Sequence, residues 1–265
     1  MKAFLLAAGN GTRLRPLTEV TPKCLVPIRG RPLLEIWLDL CLRSGIMEVL
    51  INVHAHAVAI EQFLRQYNSP VNVQVVHEAE LLGSAGTVAS NRAWLGTDSV
   101  FLILYADILT NMNLKRMVEF HSEHESLATL GLYRVADPSS CGVAITDGRG
   151  VITDFEEKPL MPRSNRAFSG IMIANRGFLD RIPPFVPADI GFHVLPGLRG
   201  EMMAYPVDDY LLDIGTMSNY AIAQTTWPAD CGYNRSVSQM QASHCSVARR
   251  VPDPKISRSR GGQSE

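Results

Sequence analysis

Val100–Tyr105 reads VFLILY, an apolar run without a single charge, and Ala3–Ala8 is a second run of the same kind. Strands this continuous are buried on both faces, which a parallel sheet achieves when helices cover it front and back. Glu48–Val53 and Val71–Val76 read as two further strands. Segments with helical spacing separate or follow them: Pro32–Ser44, Val58–Tyr67, Ala85–Leu95 and Asn113–His124. In the first of these, Leu33, Leu34, Ile36, Trp37, Leu40 and Cys41 form the apolar side, and Gly45 supplies the stop. The first half of the chain therefore predicts alternating strands and helices around a largely parallel sheet.

The second half changes character. Leu127–Val135, Gly142–Thr146, Val151–Glu156 and Phe168–Ala174 read as strands, with a turn at Asp147-Gly148-Arg149-Gly150 and no long helix between them. That pattern predicts an antiparallel extension of the first sheet. A short helix at Arg176–Arg181, strands at Met202–Pro206 and Tyr210–Ile214, and a helix over Thr216–Thr225 capped by Thr216 complete the ordered part. The expected fold is α/β, a Rossmann-like three-layer sandwich with a mixed, mainly parallel central sheet. Residues 227–265, rich in Ser, Arg, Gly, Gln and Pro without apolar periodicity, are expected to form a disordered tail. Residues 1–226 are then one domain.

A net charge of −1 gives no global reason to expect nucleic acid or an acidic membrane as partner. Anion binding must be local, built from clustered cations and backbone. The five cysteines (Cys24, Cys41, Cys141, Cys231, Cys245) are scattered and form no Cys-x-x-Cys, which argues for reduced thiols and a cytoplasmic setting. No apolar run reaches membrane-spanning length.

Ala3–Ala8 empties into Gly9-Asn10-Gly11-Thr12, followed by Arg13, Arg15 and Lys23. A strand feeding a loop of small residues presents bare N–H groups to an anion, and three nearby cations suit a polyphosphate. The loop is not a dinucleotide fingerprint, because position 14 is Leu14, nor a P-loop, because Thr12-Arg13 stands where Lys-Ser/Thr is needed. Asp107 and Asp213 each end an apolar strand, where open α/β sheets place ligands. Together they could share one Mg2+, although either alone reads equally as a capping or turn aspartate. Glu78–Gly86 is a loop of small residues in which Glu78 or Glu80 could accept from a base N–H. Two exposed glutamates before a helix N-terminus are an equally good local reading. Glu157-Lys158 offers an acceptor for hydroxyls and a cation for a phosphate, although Glu-Lys at a strand end usually reads as a solvated rim. His54/His56 and His121/His124 lack a third ligand, and the second pair is expected on a solvated helix face.

Leu6-Ala7-Ala8-Gly9-x-Gly11-Thr12-Arg13-Leu14-x-Pro16-Leu17-Thr18 with Pro22-Lys23-x-Leu25-Val26-Pro27 resembles the nucleotide signature of the sugar-1-phosphate nucleotidyltransferases. Glu78-x-Glu80-x-Leu82-Gly83-Ser84-Ala85-Gly86 is similar to the loop of their guanylyltransferase branch. Asp107, Cys141-Gly142-Val143, Phe155-x-Glu157-Lys158-Pro159, Ser169-Gly170-Ile171 and Asp213-Ile214-Gly215-Thr216 follow in that family's order. The resemblance covers residues 1–225. It implies that Leu6, Ala7, Ala8, Gly9, Gly11 and Thr12, with Glu78, Glu80, Gly83 and Ser84, hold the nucleotide. Arg13 would take the β/γ-phosphates and Lys23 the α-phosphate, Asp107 and Asp213 would ligate Mg2+, and Gly142, Glu157 and Gly170 would contact the sugar, with Lys158 on its phosphate. It further implies transfer from an NTP, GTP first, to mannose- or heptose-1-phosphate. Uridylyl, thymidylyl or cytidylyl transfer and a non-catalytic nucleotide-sugar-binding paralogue are the alternatives. Three positions depart from the pattern: Ala106 for a glycine, Leu81 for a proline and Leu212 for an aromatic residue. No hexapeptide repeat follows, so no C-terminal β-helix is expected. A homo-oligomer remains open.

Overall fold

The computed structural model describes residues 1–228. The expected tail, apart from Trp227 and Pro228, and the expected absence of a β-helix lie outside the described residues. In chain order the first elements are β1 (Lys2–Leu6), β2 (Pro27–Ile28), β3 (Arg31–Pro32), α1 (Leu33–Arg43), β4 (Glu48–Val53), α2 (Ala57–Gln66) and β5 (Asn72–His77). Then come α3 (Gly83–Ser90), β6 (Val100–Tyr105), β7 (Ile108–Thr110), α4 (Leu114–Ser122), β8 (Ala128–Arg134) and β9 (Gly142–Thr146). The last are β10 (Ile152–Glu157), β11 (Arg166–Asn175), β12 (Met202–Pro206), β13 (Leu211–Asp213) and α5 (Met217–Thr226).

β5, β4, β1 and β6 lie side by side in that order, all parallel. β11 runs antiparallel to β6 and continues the sheet to β9 and β10. β8 pairs antiparallel along the opposite edge of β11 and carries β12 on its other side. The class is therefore α/β, with a mixed sheet whose parallel core bears an antiparallel extension. Along the parallel core Phe4, Leu50, Phe101 and Ile103 alternate with Leu5, Ile51, Leu102 and Leu104, and none of them meets solvent. β4, β1 and β6 are thus buried on both faces, as unbroken apolar runs require, whereas the edge strand β5 is exposed to half-buried. Each such side chain contributes about 1.5–3 kcal/mol by leaving water.

β1 sits between β4, which follows it in the chain, and β6, which comes later. Its two neighbours are therefore reached in opposite directions, and a crevice opens beyond the carboxyl ends of β1 and β6. Leu6 and Tyr105 are in register there, so the chain segments leaving them face the same crevice.

Several expectations are corrected. The helix expected over Ala85–Leu95 stops at Ser90, and a 3-10 turn, Arg92–Leu95, follows. Asn91 is the reason: its side-chain amide donates to Thr87 O at 2.8 Å and turns the chain out of the helix. His121 is buried rather than solvated, with Nδ1 2.8 Å from Thr129 Oγ1 on β8. Trp227, expected in the tail, is buried with its ring 5.1 Å from that of Tyr210, and its carbonyl accepts from Arg29 at 3.0 Å. Thr216 caps α5 as expected, accepting from Asn219 N at 3.2 Å.

Candidate active site

The crevice holds two cavities that share Arg13, Tyr105 and Asp107. The first, of about 370 Å³, is walled by Leu6, Ala7, Ala8, Gly9, Gly11 and Thr12 from the glycine loop. Gly11 has φ +60, and a Cβ there would come within 2.9 Å of Thr18 Cγ2, so only glycine fits. Thr18 Oγ1 donates to Gly11 O at 2.7 Å and fastens the turn. Among the described residues, no group accepts from the N–H of Gly9 or Gly11, which leaves both amides available to an anion. Arg15 is exposed and lies outside the wall.

Opposite this loop stand Glu78, Gly83 and Ser84. Glu78 is buried, against the exposed-rim reading, whereas Glu80 is exposed and does not line the cavity. A residue that sequence reasoning missed explains the burial. Asn52, on β4 beside Leu6, accepts from Ala7 N at 2.7 Å and donates to Glu78 Oε1 at 2.9 Å. Thr87 Oγ1 donates to the same oxygen at 2.5 Å, and Leu82 N to Glu78 Oε2 at 3.2 Å. The buried carboxylate is therefore satisfied by hydrogen bonds, and Asn52 ties the two walls of the cavity together. The polar Asn52 within the otherwise apolar Val49–Val53 run was the available signal.

Where the cavities meet, Lys23 Nζ lies 2.6 Å from Asp107 Oδ2. β13 pairs antiparallel with β7, setting Asp213 opposite Ile108, and Ile214 N donates to Asp107 O at 2.8 Å. This small ribbon brings the two strand-end aspartates together. Arg13 lies on the same spot: a Cβ on Gly215 would be 2.7 Å from Asp213 Oδ1 and 2.9 Å from Arg13 Nη2. Burial, then the neighbouring Asp107 carboxylate, pushes Asp213 above the usual carboxylate range, and Lys23 and Arg13 oppose the rise. Asp213 Oδ1 is buried and has no hydrogen-bond partner among the described residues. An unsatisfied carboxylate oxygen beside a second carboxylate, at the edge of an anion cradle, fits a hard cation such as Mg2+. That ion takes one or two carboxylates and completes its shell with substrate phosphates and water. No cluster of three or more ligating side chains occurs among the described residues, so the histidine pairs gain no third ligand. Ala106, in place of the usual glycine, is buried and donates to Leu6 O at 3.0 Å.

The second cavity, of about 530 Å³, contains Gly142, Glu157, Lys158, Gly170 and Asp213. Glu157 lies between two glycines: a Cβ on Gly142 or Gly191 would approach its Oε2 to 2.5 or 2.4 Å. Burial pushes Glu157 above the usual range, and Asp189 adds to the rise while Lys158 opposes it. Lys158 has φ +51, and its N–H donates to Cys141 O at 2.9 Å. Tyr133, Asp189, Gly191 and Phe192 also line this space, and none was singled out from the sequence.

A glycine-turn cradle, an acid pair with two cations at the seam and a second polar cavity define the class: an α/β protein whose crevice offers cations and bare amides to an anion beside a second polar space. The chain belongs to the nucleotidyl transferase family, whose profile matches residues 2–228. It is 33% identical over 246 residues to the mannose-1-phosphate guanylyltransferase catalytic subunit beta of Drosophila melanogaster, covering 91% of this chain. The chain spans 65% of that relative's length. A Bacillus anthracis protein assigned as a glucose-1-phosphate thymidylyltransferase shares the fold, with a TM-score of 0.78 at 23% identity, over 90% of this chain and 99% of its own. HddC from Yersinia pseudotuberculosis, solved with GMP-PN, shares it with a TM-score of 0.72 at 22% identity, over 86% of this chain and 99% of its own.

Proposed function

We propose that the protein transfers a nucleotidyl group from an NTP to a sugar 1-phosphate, giving an NDP-sugar and pyrophosphate. GTP is the proposed donor, and mannose- or heptose-1-phosphate the proposed acceptor. The single observation that carries the reading is the seam, where Arg13, Lys23, Asp107 and Asp213 gather between the two cavities. The guanylyltransferase relative and the guanine-nucleotide complex of HddC support the choice of base. Residues 1–226 act as one nucleotidyltransferase domain in this reading. Buried Cys24 and Cys41, with thiols pushed up to about 12 by burial, are inert and in keeping with a reducing cytoplasm. No helix among the described residues is long and apolar enough to cross a membrane.

In this mechanism the acceptor's phosphate oxygen attacks the α-phosphorus in line and pyrophosphate leaves. The attacking group is already an anion, so no general base and no covalent enzyme intermediate are required. The protein's task is to hold two polyanions aligned and to offset their repulsion. The amides of Gly9 and Gly11 and the Arg13 guanidinium seat the triphosphate. Lys23, kept at the seam by Asp107, meets the charge that grows on the α-phosphate, and Lys158 holds the acceptor's phosphate. Asp107 and Asp213 would hold a Mg2+ ion, which when bound would supply further positive charge for the phosphates.

Pyrophosphate release with Mg2+, each of four NTPs and a panel of sugar 1-phosphates tests the reading. Turnover is expected with GTP and a mannose- or heptose-type acceptor. Turnover with another NTP moves the assignment to that transfer, and tight binding of an NDP-sugar without turnover makes the chain a sensor. Lys23→Ala is expected to lower kcat/KM by about 10²–10³, the cost of one lost transition-state donor. Near-wild-type turnover in that variant removes Lys23 from the mechanism.

A further inference from the structure

One wall of the second cavity is a π-helical turn, Ile190–Val194, entered from Asp189. Such turns concentrate where a protein holds a segment in an unusual shape for a purpose. Hydrogen bonds and a close approach hold this one. Asp189 Oδ1 accepts from Phe192 N at 3.1 Å. Ser84 Oγ donates to Asp189 Oδ2 at 2.9 Å and accepts from Ile190 N at 2.8 Å. Gly191 lies so close to Glu157 that a Cβ would come within 2.4 Å of Oε2.

The turn carries the Phe192 ring to the cavity wall and leaves it 52% exposed, although nothing in the fold needs an aromatic side chain in water. Lys158 Nζ stands over one face of that ring, 5.4 Å from its centre, and Gly191 packs against Glu157. The wall thus offers an apolar plate beside a carboxylate and an ammonium. A sugar ring has the matching chemistry: C–H bonds on a face, hydroxyls around the rim and, in a sugar 1-phosphate, an anion at one end. We propose that Phe192 is a sugar-recognition residue, its ring packing on the C–H face of the acceptor while Glu157 takes a hydroxyl and Lys158 the phosphate. The inference rests on the sugar-1-phosphate reading above. It adds to that reading a residue and a kind of contact.

The test compares wild type, Phe192→Ala and Phe192→Trp at saturating NTP and Mg2+, with the sugar 1-phosphate titrated. Phe192→Ala is expected to raise the KM for the sugar 1-phosphate about tenfold, the scale of one lost aromatic contact. The KM for NTP and the Tm are expected to stay at wild-type values, since the ring is half exposed. Phe192→Trp is expected to restore the sugar KM, because it keeps the plate. Calorimetric titration of the sugar 1-phosphate reads the same contact without turnover. Wild-type turnover with an indifferent Phe192→Ala overturns this inference alone, as does an equal rise in both KM values. A wild type that neither turns over nor binds any sugar 1-phosphate overturns it together with the reading beneath it.

Discussion

Asn52 and Glu157 show how single polar side chains are held in an apolar setting, and what that costs. Asn52 serves Ala7 N–H on one wall of the first cavity and Glu78 on the other. Asn52→Ala leaves a buried amide and a buried carboxylate each short of a partner, a loss of about 1–3 kcal/mol in stability. Because those partners line the first cavity, the variant is expected to raise the KM for NTP more than that for the sugar 1-phosphate. A thermal melt and the two titrations check both effects. Glu157 presents the opposite balance. Its folded-state pKa is raised chiefly by burial, so the folded form binds a proton more readily than the unfolded chain does. Stability from this group is present below the ordinary glutamate range and is lost as pH rises through the raised value. Glu157→Gln is therefore expected to have a higher Tm than wild type at neutral pH, with the gap closing in acid. The same variant is expected to bind the acceptor more weakly. Melts across a pH series and one KM measurement decide whether this carboxylate is kept for binding at the expense of stability.

Loops at the ends of elements, more than the elements themselves, set the site. Ala188 O accepts from Ala85 N and Gly86 N at the start of α3, which ties that helix to the chain leading into the π-helical turn. Gly83 makes the approach possible, with φ +77 and only 2.3 Å between a built Cβ and Ala188 O. Gly83→Ala is expected to cost about 1–3 kcal/mol from backbone strain alone and more from the clash. Gly9→Ala, with nothing within 4 Å, is expected to leave the denaturation midpoint unchanged. Much of this architecture was legible in the sequence. The unbroken runs at Ala3–Ala8 and Val100–Tyr105 forced a doubly covered parallel core, and Gly-x-Gly-Thr-Arg marked the cradle at its edge. β13 falls within the strand expected at Tyr210–Ile214, but β7 and its pairing with β13 were not legible, because a strand this short carries no periodicity and is defined by its pairing. Asp189–Val194 escaped for a related reason: a π-helical turn has no repeat to read, and its shape is dictated by Ser84 and Glu157, far away in sequence. Glu78 and Glu80 looked alike as letters, and only Asn52 and Thr87 distinguish them in space.

Over the whole molecule, the proposed function links stability to the ligands of the crevice. A ligand that binds only the folded chain stabilises it by about 2.7 kcal/mol at a hundredfold excess over Kd. A melt with NTP and Mg2+ is expected to lie above one with NTP and a chelator. Asp213→Asn is expected to erase that difference while leaving the ligand-free Tm near or above wild type, since it removes a buried, unsatisfied charge. An undiminished Mg2+ increment in this variant would exclude Asp213 as a ligand. The ribbon that joins Asp107 to Asp213 has a consequence for how the protein comes into being. One carboxylate follows the fourth strand of the parallel core, and the other arrives near the end of the described chain. During synthesis, a chain that has completed its parallel core possesses the cradle, Lys23 and Asp107, yet holds only half of the acid pair. Under the proposed function, competence to grip a metal–nucleotide complex would therefore arrive last, as a signal that the entire sheet and its return strand are in place.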